Sequence, residues 1–479
     1  MCALAQMLRQ MGYKVGGSDC NESDNLSRLC EQGVPVHLGH DPALVQGADL
    51  VVYSAAIAAD NPERLEADRL SIPQASRAEL FGAISRLFKE VIAVSGTHGK
   101  TTTTGMITQL LASGEKAPSA IVGGYLPFLD GNGRLGARDL LVCEACEFAD
   151  TFLHLSRDTA VLLNIDDDHL EYFGTSDRLV ESFHRFAREA KRVVAYGEDA
   201  RVLRAVAGVD GEVTTFGFNR ENEHYTDRVE CVGGCYSFDW MRRGKKLARI
   251  CLSVAGRHNI LNALAAAVVA WQQGMQPDHI ARELSAFTGV CRRFEVLCRK
   301  DGITVADDYA HHPTELEAVL TAARQMGFRR IIAVFQPFTF SRTFLLMKDF
   351  ARVLSAADQV VLAQIMGSRE INTFGVTAEQ LRDCIPGALL CNDFDEIAKT
   401  ALSCARQGDL ILTLGCGDIY KAAKKMVKAL RDGENSQCGQ EAAEPDLMIG
   451  STDTGLSCGA ERSRCGDLQV PCGDQTVLA

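Results

Sequence analysis

The residues best suited to chemistry form the stretch Gly96-Thr-His-Gly-Lys-Thr, residues 96–101. Two glycines allow the backbone to turn its N–H groups toward an anion, and Lys100 supplies a positive point charge. The hydroxyl of Thr101 is suited to hold Mg²⁺. The pattern therefore predicts a site for the phosphates of a nucleoside triphosphate. The full P-loop pattern has a glycine where this chain has Val94. The alternative interpretation is therefore an ordinary glycine turn followed by an exposed lysine.

The elements around this stretch have the order that phosphate binding requires. Residues 91–94 are apolar and predict a buried strand, residues 95–99 a tight turn, and residues 100–111 a helix. The N-terminal end of that helix carries a partial positive charge, which favours an anion beside the turn.

Two acidic clusters follow predicted strands. The strand at 140–143 precedes Glu144-Ala-Cys-Glu147, and the strand at 160–165 precedes Asp166-Asp-Asp-His169. Open α/β sheets bind ligands beyond the carboxyl ends of their strands. A carboxylate or imidazole there could complete a Mg²⁺ shell begun by Thr101. Two solvated acidic turns remain the alternative.

A further α/β pattern begins after residue 290, with strands predicted at 303–306, 331–335, 359–363 and 410–414. Polar residues follow these strands, including Asp308-Tyr-Ala-His-His-Pro313, Arg342 and Asp418. For the adjacent His311 and His312 we favour substrate or nucleotide contacts over zinc, because neighbouring histidines do not easily face one ion from a loop. Upstream, a polar β-like stretch at 211–252 leads to His258-Asn259, which alone could simply cap the following helix.

Composition restricts the classes of function. The 479 residues suffice for two to four domains, and the net charge of −12 disfavours nucleic acid as a partner. Neither a membrane span nor a signal peptide is visible, so we expect a cytoplasmic protein. The 18 cysteines are not spaced as a disulfide framework, and we expect most to be reduced core residues.

The two ends of the chain are unusual. The first α/β pattern starts on a helix, with strands predicted at 14–17, 34–37 and 50–54 and a helix at 24–32. In doubly wound folds the first strand is central, so a start at Met1 omits a strand and the domain is expected to be truncated. Residues 432–479 have no periodicity and no aromatic residue, and predict a disordered tail.

Taken in order, the motifs resemble those of the Mur ligase family over roughly residues 1–430. They are the 96–101 loop, Glu144-Ala-Cys-Glu147, Asn164-x-x-x-Asp168-His169, Gly256-Arg-His-Asn259, Arg293-Phe-Glu and Asp308-Tyr-Ala-His-His-Pro313. The resemblance implies an α/β protein of three domains: a truncated Rossmann-like domain (1–88), a central P-loop ATPase-type domain with a mostly parallel sheet (89–290) and a Rossmann-like C-terminal domain (291–431). The disordered tail (432–479) has no family counterpart.

The activity implied by the resemblance is that of an ATP- and Mg²⁺-dependent, amide-forming ligase of peptidoglycan precursor synthesis. Its substrates would be UDP-N-acetylmuramate and L-alanine, joined through an acyl phosphate, in a monomer or homodimer. The alternatives are a recycling ligase that attaches a murein tripeptide, an impaired ATP-binding homologue that does not hold the UDP-sugar, and a P-loop kinase.

The resemblance also implies roles for individual residues of this chain. ATP would contact Gly96, Thr97, His98, Gly99, Lys100, Thr101, Thr102, His258, Asn259, Asn262, Arg293 and Asp308. Mg²⁺ would be held by Thr101, Glu147 and His169. Catalysis would involve Lys100, His169, Arg293 and His311. The substrates would contact Ser18, Asp19, Ser54, Tyr309, His311 and Arg342.

Two departures from the family pattern affect the substrate site. The opening strand and its glycine-rich loop, which contacts the UDP moiety, are absent, and this should weaken UDP-sugar binding. The run Phe338-Thr-Phe340 replaces a stretch that is more polar in many members.

Overall fold

The computed structural model describes residues 1–114, 116–368, 370–437 and 476–478. It contains three α/β units, each built around its own sheet. The N-terminal unit alternates short helices and strands. Its elements are α1 (Cys2–Gln10), β1 (Lys14–Asp19), α2 (Asp24–Glu31), β2 (Val36–Leu38), β3 (Leu50–Tyr53), α3 (Pro62–Arg69), β4 (Gln74–Ser76) and α4 (Arg77–Ser85).

The central unit holds the predicted phosphate loop. Its elements are β5 (Glu90–Ser95), α5 (Lys100–Ser113), β6 (Pro118–Leu126), β7 (Gly131–Arg134), β8 (Ala137–Glu144), β9 (Thr159–Leu162), α6 (Leu170–Phe173), α7 (Ser176–Arg188), β10 (Arg192–Tyr196), α8 (Ala200–Val206), β11 (Glu212–Gly217), β12 (His224–Val232), β13 (Cys235–Arg242), β14 (Lys245–Ala255), α9 (His258–Gln272) and α10 (Pro277–Ala286). The strand order is β14-β13-β12-β11-β10-β9-β5-β8-β6-β7, parallel in the middle and antiparallel towards both edges.

The C-terminal unit has a six-stranded sheet of order β15-β16-β20-β17-β18-β19 in which only β15 is antiparallel to its neighbour. Its elements are β15 (Glu295–Lys300), β16 (Ile303–Asp308), α11 (Pro313–Gln325), β17 (Ile331–Phe335), α12 (Phe340–Leu345), α13 (Met347–Leu354), β18 (Gln359–Ala363), α14 (Ala378–Asp383), β19 (Leu389–Cys391), α15 (Phe394–Cys404), β20 (Leu410–Leu414) and α16 (Tyr420–Gln437).

Strand β5 is central because both of its faces are apolar. Val91 and Ala93 pack into one hydrophobic cluster, Ile92 and Val94 into another on the opposite face, and all four are fully buried. Such a strand, covered on both faces, is typical of parallel sheets. The loop that follows β5 is therefore held by a rigid, doubly covered strand.

The sheet of the N-terminal unit contains a strand from the far end of the chain. Strand β21 (Thr476–Leu478) lies between β1 and β3 and is parallel to both, giving the order β2-β1-β21-β3-β4. Val477 is paired with Val15 on one side and with Leu50 on the other. This is the central position for which the sequence lacked an opening strand.

The prediction of a disordered tail over 432–479 lies for the most part outside the described residues. Within them it is wrong at two points, since α16 continues to Gln437 and residues 476–478 form β21. The reason for the second error is that a three-residue strand is too short to show a period and is fixed by pairing with distant strands.

Most elements expected from the sequence are confirmed, including the strand, turn and helix around residues 96–101. The expectation that most cysteines are core residues is wrong. Among the described cysteines, all of them free thiols, only Cys143 and Cys391 are buried and several are exposed, for example Cys251. In the described part of the chain, no helix has both the length and the apolar character needed to cross a membrane.

Candidate active site

The loop at 96–101 adopts a backbone that requires its two glycines. Gly96 has φ 138° and Gly99 has φ 85°, both in the region that L side chains rarely occupy. A Cβ atom on Gly99 would lie 2.5 Å from Oδ1 of Asn262. The loop thus turns tightly into the N-terminus of α5, with Asn262 of α9 packed directly against it.

Lys100 is directed back toward its own loop and toward the end of β8. Its ammonium group donates to the carbonyl oxygens of Gly96 and Thr97 and lies 2.9 Å from Oε2 of Glu147. Burial alone would lower the pKa of Lys100, but the surrounding negative charges, that of Glu147 first, together outweigh burial and raise it. Lys100 is therefore a largely buried cation that is surrounded by oxygen atoms, and phosphate oxygens could replace these.

Oxygen ligands suited to Mg²⁺ lie beside this lysine. The hydroxyl of Thr101 donates to Oε2 of Glu144 at 2.9 Å, and the side chain of Glu147 is only 2% exposed. The next residue, Thr102, is also buried. One hydroxyl and two carboxylates form a hard-donor set of the kind that Mg²⁺ prefers.

His169 approaches this set from the loop after β9. It precedes α6 with φ 56°, and its ring centroid lies 4.8 Å from that of Phe148, the residue that follows Glu147. Its Nε2 lies 3.7 Å from Oδ2 of Asp168. The structure thus brings the loop of His169 next to the chain segment that carries Glu147.

His98 connects the phosphate loop to the C-terminal unit. Its backbone N–H donates to the side chain of Asn164 at 2.8 Å. Its ring lies 3.4 Å from Asp166 and 3.2 Å from Glu315, measured from Nε2 and Nδ1 respectively. Burial would lower the pKa of His98, but hydrogen bonds with these two carboxylates raise it to about 9. The imidazole is therefore positively charged at neutral pH.

The start of α9 packs against the phosphate loop, and its contact with the nucleotide, which the resemblance implies, stays a prediction. Asn259 donates to the carbonyl of Ala255 at 2.7 Å and accepts from Asn262 at 2.9 Å. His258, the first residue of α9, is exposed and lies within electrostatic range of Arg293 of the C-terminal unit.

The segment before β15 and the end of β16 bring a cation, an aromatic ring and a carboxylate together. The guanidinium of Arg293 lies 5.1 Å from the ring centroid of Tyr309, and burial raises the pKa of Tyr309 to about 12. The carboxylate of Asp308 accepts from the backbone N–H groups of Phe294 and Ala310, each at 2.7 Å, and burial raises its pKa to about 6. Asp308 therefore stabilises its own loop. Its contact with the ribose of ATP stays a prediction.

Arg342 contacts an acidic side chain across the boundary between units, and His311 contacts one within its own unit. Arg342 of α12 donates to Oδ1 of Asp168 at 2.6 Å, and both side chains are largely buried. Burial would raise the pKa of Asp168, but the charge and hydrogen bond of Arg342, together with the neighbouring histidines, hold it well below its usual range. Nδ1 of His311 lies 3.1 Å from the carbonyl oxygen of Tyr309 and 3.2 Å from Glu315.

Three predicted substrate residues lie in the N-terminal unit and contact their own surroundings. Ser18 donates to Glu63 at 2.9 Å, Asp19 accepts from the N–H of Asn21, and Ser54 accepts from the N–H of Ala56. The structure does not bring these three side chains together with the phosphate loop through any hydrogen bond of the described residues.

A cavity of about 270 Å³ lies between the N-terminal and central units. Its lining includes Arg77 and Phe81 on one side and Gly123, Glu144 and Cys146 on the other, but not Ser18, Asp19 or Ser54. Because Glu144 also accepts from Thr101, the cavity opens onto the oxygen ligands beside the phosphate loop.

Sequence reasoning missed Glu315 as a residue of the site. It lies three positions after His312, accepts from the backbone N–H of His311 at 3.0 Å and contacts His98. The available signal was a helix start with proline at the first position and glutamate at the third, which indicated only a capping box. The contact with His98 joins residues more than two hundred positions apart, which no local pattern reveals.

Comparison with known protein families identifies all three units. Residues 1–89 match the Mur ligase family catalytic domain, residues 94–270 the Mur ligase middle domain, and residues 292–417 the Mur ligase glutamate ligase domain. Together these matches span most of the chain.

Individual relatives agree with the family matches. The chain is 39% identical over 436 residues, 89% of this chain and 95% of the relative, to a UDP-N-acetylmuramate–L-alanine ligase of Caldanaerobacter subterraneus subsp. tengcongensis. The crystal structure of UDP-N-acetylmuramate-alanine ligase from Thermotoga maritima superposes with a TM-score of 0.80 at 28% identity, covering 90% of this chain and 97% of that one. A murein peptide ligase from Psychrobacter arcticus has the same fold, with a TM-score of 0.71 at 24% identity over 92% and 97% of the two chains.

Proposed function

This chain belongs to the Mur ligase family, and we propose that it is an ATP-dependent ligase that joins L-alanine to the carboxylate of UDP-N-acetylmuramate. The observation that carries the proposal is the arrangement of Lys100, Thr101, Glu144 and Glu147 at the phosphate loop. This set pairs a phosphate-binding cation with oxygen ligands for Mg²⁺, as phosphoryl transfer from ATP requires.

The first step activates a carboxylate, which is a poor acyl donor. A carboxylate oxygen of UDP-N-acetylmuramate attacks the γ-phosphorus of ATP, the bond to the β,γ-bridging oxygen breaks, and an acyl phosphate and ADP result. Lys100 neutralises charge on the phosphates, and Arg293 approaches the γ-phosphate from the C-terminal unit. Mg²⁺ held by Thr101, Glu147 and His169 would screen the charge that develops on the transferring group.

The second step forms the amide. The amine of L-alanine attacks the acyl carbon, a tetrahedral intermediate forms, and inorganic phosphate leaves. His311 is suited to take the proton that the amine loses. Burial lowers the pKa of His311 to about 4, so the ring is neutral at pH 7. Its Nδ1–H donates to the carbonyl of Tyr309, which leaves the lone pair on Nε2 as the proton acceptor.

We assign the UDP-sugar to the cavity between the N-terminal and central units. Arg77 supplies a cation there for a diphosphate, and Glu144 connects the cavity to the phosphate loop. Arg342 and Tyr309 are assigned to the amino-acid side of the acyl group. Ser18, Asp19 and Ser54, at the ends of β1 and β3, lie outside that cavity, and we propose that they contact the part of the UDP moiety that extends beyond it. His258, Asn259, Asn262 and Asp308 are assigned to the nucleoside end of ATP.

The test is phosphate release with Mg-ATP, UDP-N-acetylmuramate and L-alanine, each omitted in turn. Release that requires all three, with an amide product, is the expected result. Release without an acceptor amine would indicate a kinase, and a preference for murein tripeptide over L-alanine would indicate a recycling ligase. ATP binding without release would indicate an impaired homologue, and each of these outcomes would overturn the proposal.

A further inference from the structure

A cluster of metal-ligating side chains lies beside the phosphate loop but outside the predicted Mg²⁺ set. His98, Asp166 and His312 each offer one ligand atom, and these atoms lie within 4.8 Å of one another. Two imidazoles and one carboxylate suit a borderline cation such as Zn²⁺ much better than Mg²⁺. None of the three residues belongs to the set Thr101, Glu147 and His169.

His312 has a buried nitrogen atom that the protein does not satisfy. The residue is only 6% exposed, and its Nε2 has no hydrogen-bond partner among the described residues. Its other nitrogen, Nδ1, lies 3.4 Å from the backbone nitrogen of Thr314. A metal ion bound through Nε2 would place the ring proton on Nδ1 and replace this long hydrogen bond. Buried polar atoms without a partner are rare because they forfeit the hydrogen bond that water would provide. The centroid of the His312 ring lies 5.4 Å from that of His98, so a shared ligand is within reach.

The remaining side-chain contacts orient the cluster as an outer shell orients metal ligands. Nδ1 of His98 lies 3.2 Å from Glu315, while Nε2 lies 3.4 Å from Asp166. Asp166 in turn accepts from the hydroxyl of Thr314 at 3.0 Å. A carboxylate behind a ligating histidine fixes the tautomer and raises the basicity of the ring. Each proposed ligand except Nε2 of His312 is thus already held by a neighbour.

We propose that His98, Asp166 and His312 form a binding site for a divalent transition-metal ion, with Zn²⁺ as the ion that fits the ligand set best. The distance between His98 and Asp166 is close to the roughly 3.3 Å that separates two ligands at about 2.0 Å in a tetrahedral site. The ligand atom of His312 lies within 4.8 Å of both. Water would take the fourth position.

The ion would connect two units of the protein. His98 and Asp166 follow β5 and β9 of the central unit, while His312 precedes α11 of the C-terminal unit. The adjacent His311 is not part of this cluster, whose converging ligand atoms belong to His98, Asp166 and His312. A bound cation would take the place of the proton that His98 carries between Asp166 and Glu315, and would hold the two units together at this point.

Co²⁺ is a suitable probe, because it substitutes for Zn²⁺ and reports its ligands by visible absorption. We expect the full chain in excess Mg²⁺ to bind one Co²⁺ with the bands of nitrogen and oxygen ligands, and Zn²⁺ to displace it. His312→Gln and Asp166→Asn should each abolish these bands, provided circular dichroism confirms that the variants are folded. Glu315→Gln, which keeps the helix cap, should weaken binding by about 10–100-fold.

Two controls separate this site from other metal-binding groups. Glu147→Gln alters the predicted Mg²⁺ set and should leave the Co²⁺ bands unchanged, and so should His279→Gln at a half-exposed surface position. The free cysteines would bind Co²⁺ with strong sulfur-to-metal charge-transfer bands in the near ultraviolet. Bands of that kind alone, or bands that persist in both His312→Gln and Asp166→Asn, would overturn the proposal.

Discussion

The ammonium group of Lys100 lies 2.9 Å from Oε2 of Glu147, a carboxylate whose side chain is 2% exposed. In the proposed function, Lys100 binds phosphate oxygens of ATP and Glu147 binds Mg²⁺, so the two residues no longer pair with each other. Each then exchanges one buried ionic partner for another, so that neither charge is left unpaired when ATP binds. Under this proposal, the ion pair keeps both groups beside the phosphate loop until ATP and Mg²⁺ bind.

Replacing Glu147 by Gln is expected to raise the Mg²⁺ concentration needed for half-maximal phosphate release by at least about tenfold, because one anionic ligand is lost. The measurement is a Mg²⁺ titration at saturating ATP and substrates. Glu181→Gln, an exposed position on α7, is the control and should match the wild type. An unchanged Mg²⁺ requirement in Glu147→Gln would contradict the assignment of Glu147.

The ion pair between Arg342 and Asp168 is expected to matter for turnover, because it joins the C-terminal unit to the loop that carries His169. In a double-mutant cycle with Arg342→Gln and Asp168→Asn, measured on kcat/KM, we expect a coupling of about 1–3 kcal/mol. The exposed pair Arg352 and Glu317 is the matched control, with an expected coupling near zero. Equal coupling in the two pairs would exclude a special role for the Arg342 contact.

Acid is expected to destabilise the central unit partly through His224. Trp240 donates to Nδ1 of His224 at 3.0 Å, and burial lowers the pKa of His224 from 6.5 to about 4. The folded state therefore favours the neutral ring. The stabilisation is fully present above pH 6.5 and is lost as the pH falls from 6.5 through 4.

The measurement for His224 is the melting temperature between pH 7 and pH 4 in wild type and in His224→Asn, which keeps an acceptor for Trp240. The wild type should lose more stability than the variant over this range. His154→Asn, at an exposed position, should follow the wild type. Parallel curves for wild type and His224→Asn would show that His224 does not carry this dependence.

Strand β21 is expected to hold the N-terminal sheet together, because it is the only described strand that pairs with both β1 and β3. Val477→Pro removes a backbone donor in the middle of this sheet. We expect faster hydrogen exchange in residues 14–19 and 50–53, with no change in β16 of the C-terminal unit. Val477→Thr keeps the donor and should exchange like the wild type. Unchanged exchange in the proline variant would mean that β21 does not support this sheet in solution.

The phosphate loop could be predicted from the sequence because its signals are local. An apolar strand, two glycines and a Lys-Thr pair occur within about a dozen residues, and the structure confirms the strand, the turn and the helix. The acidic clusters after β8 and β9 were also visible, since each follows directly on a strand. The contact partners of these clusters could not be predicted. Thr101 and Glu144, for example, come from different β–α segments.

Contacts between units could not be predicted in the same way. The pairs His98 with Glu315 and Arg342 with Asp168 depend on how two sheets are placed relative to each other, which no spacing encodes. Strand β21 could not be predicted because three residues are too few to show a hydrophobic period. Asp308 is a different case. The family resemblance implies that it contacts the ribose, but in the structure both of its carboxylate oxygens accept hydrogen bonds from backbone N–H groups.

The most direct test of the account uses UDP-N-acetylmuramate labelled with ¹⁸O in both carboxylate oxygens, together with Mg-ATP and L-alanine. If the chain forms an acyl phosphate and then an amide, each inorganic phosphate released carries one ¹⁸O from the carboxylate, and the other label remains in the amide carbonyl. Phosphate without label, or label transfer that does not depend on this protein, would contradict the proposed ligase reaction.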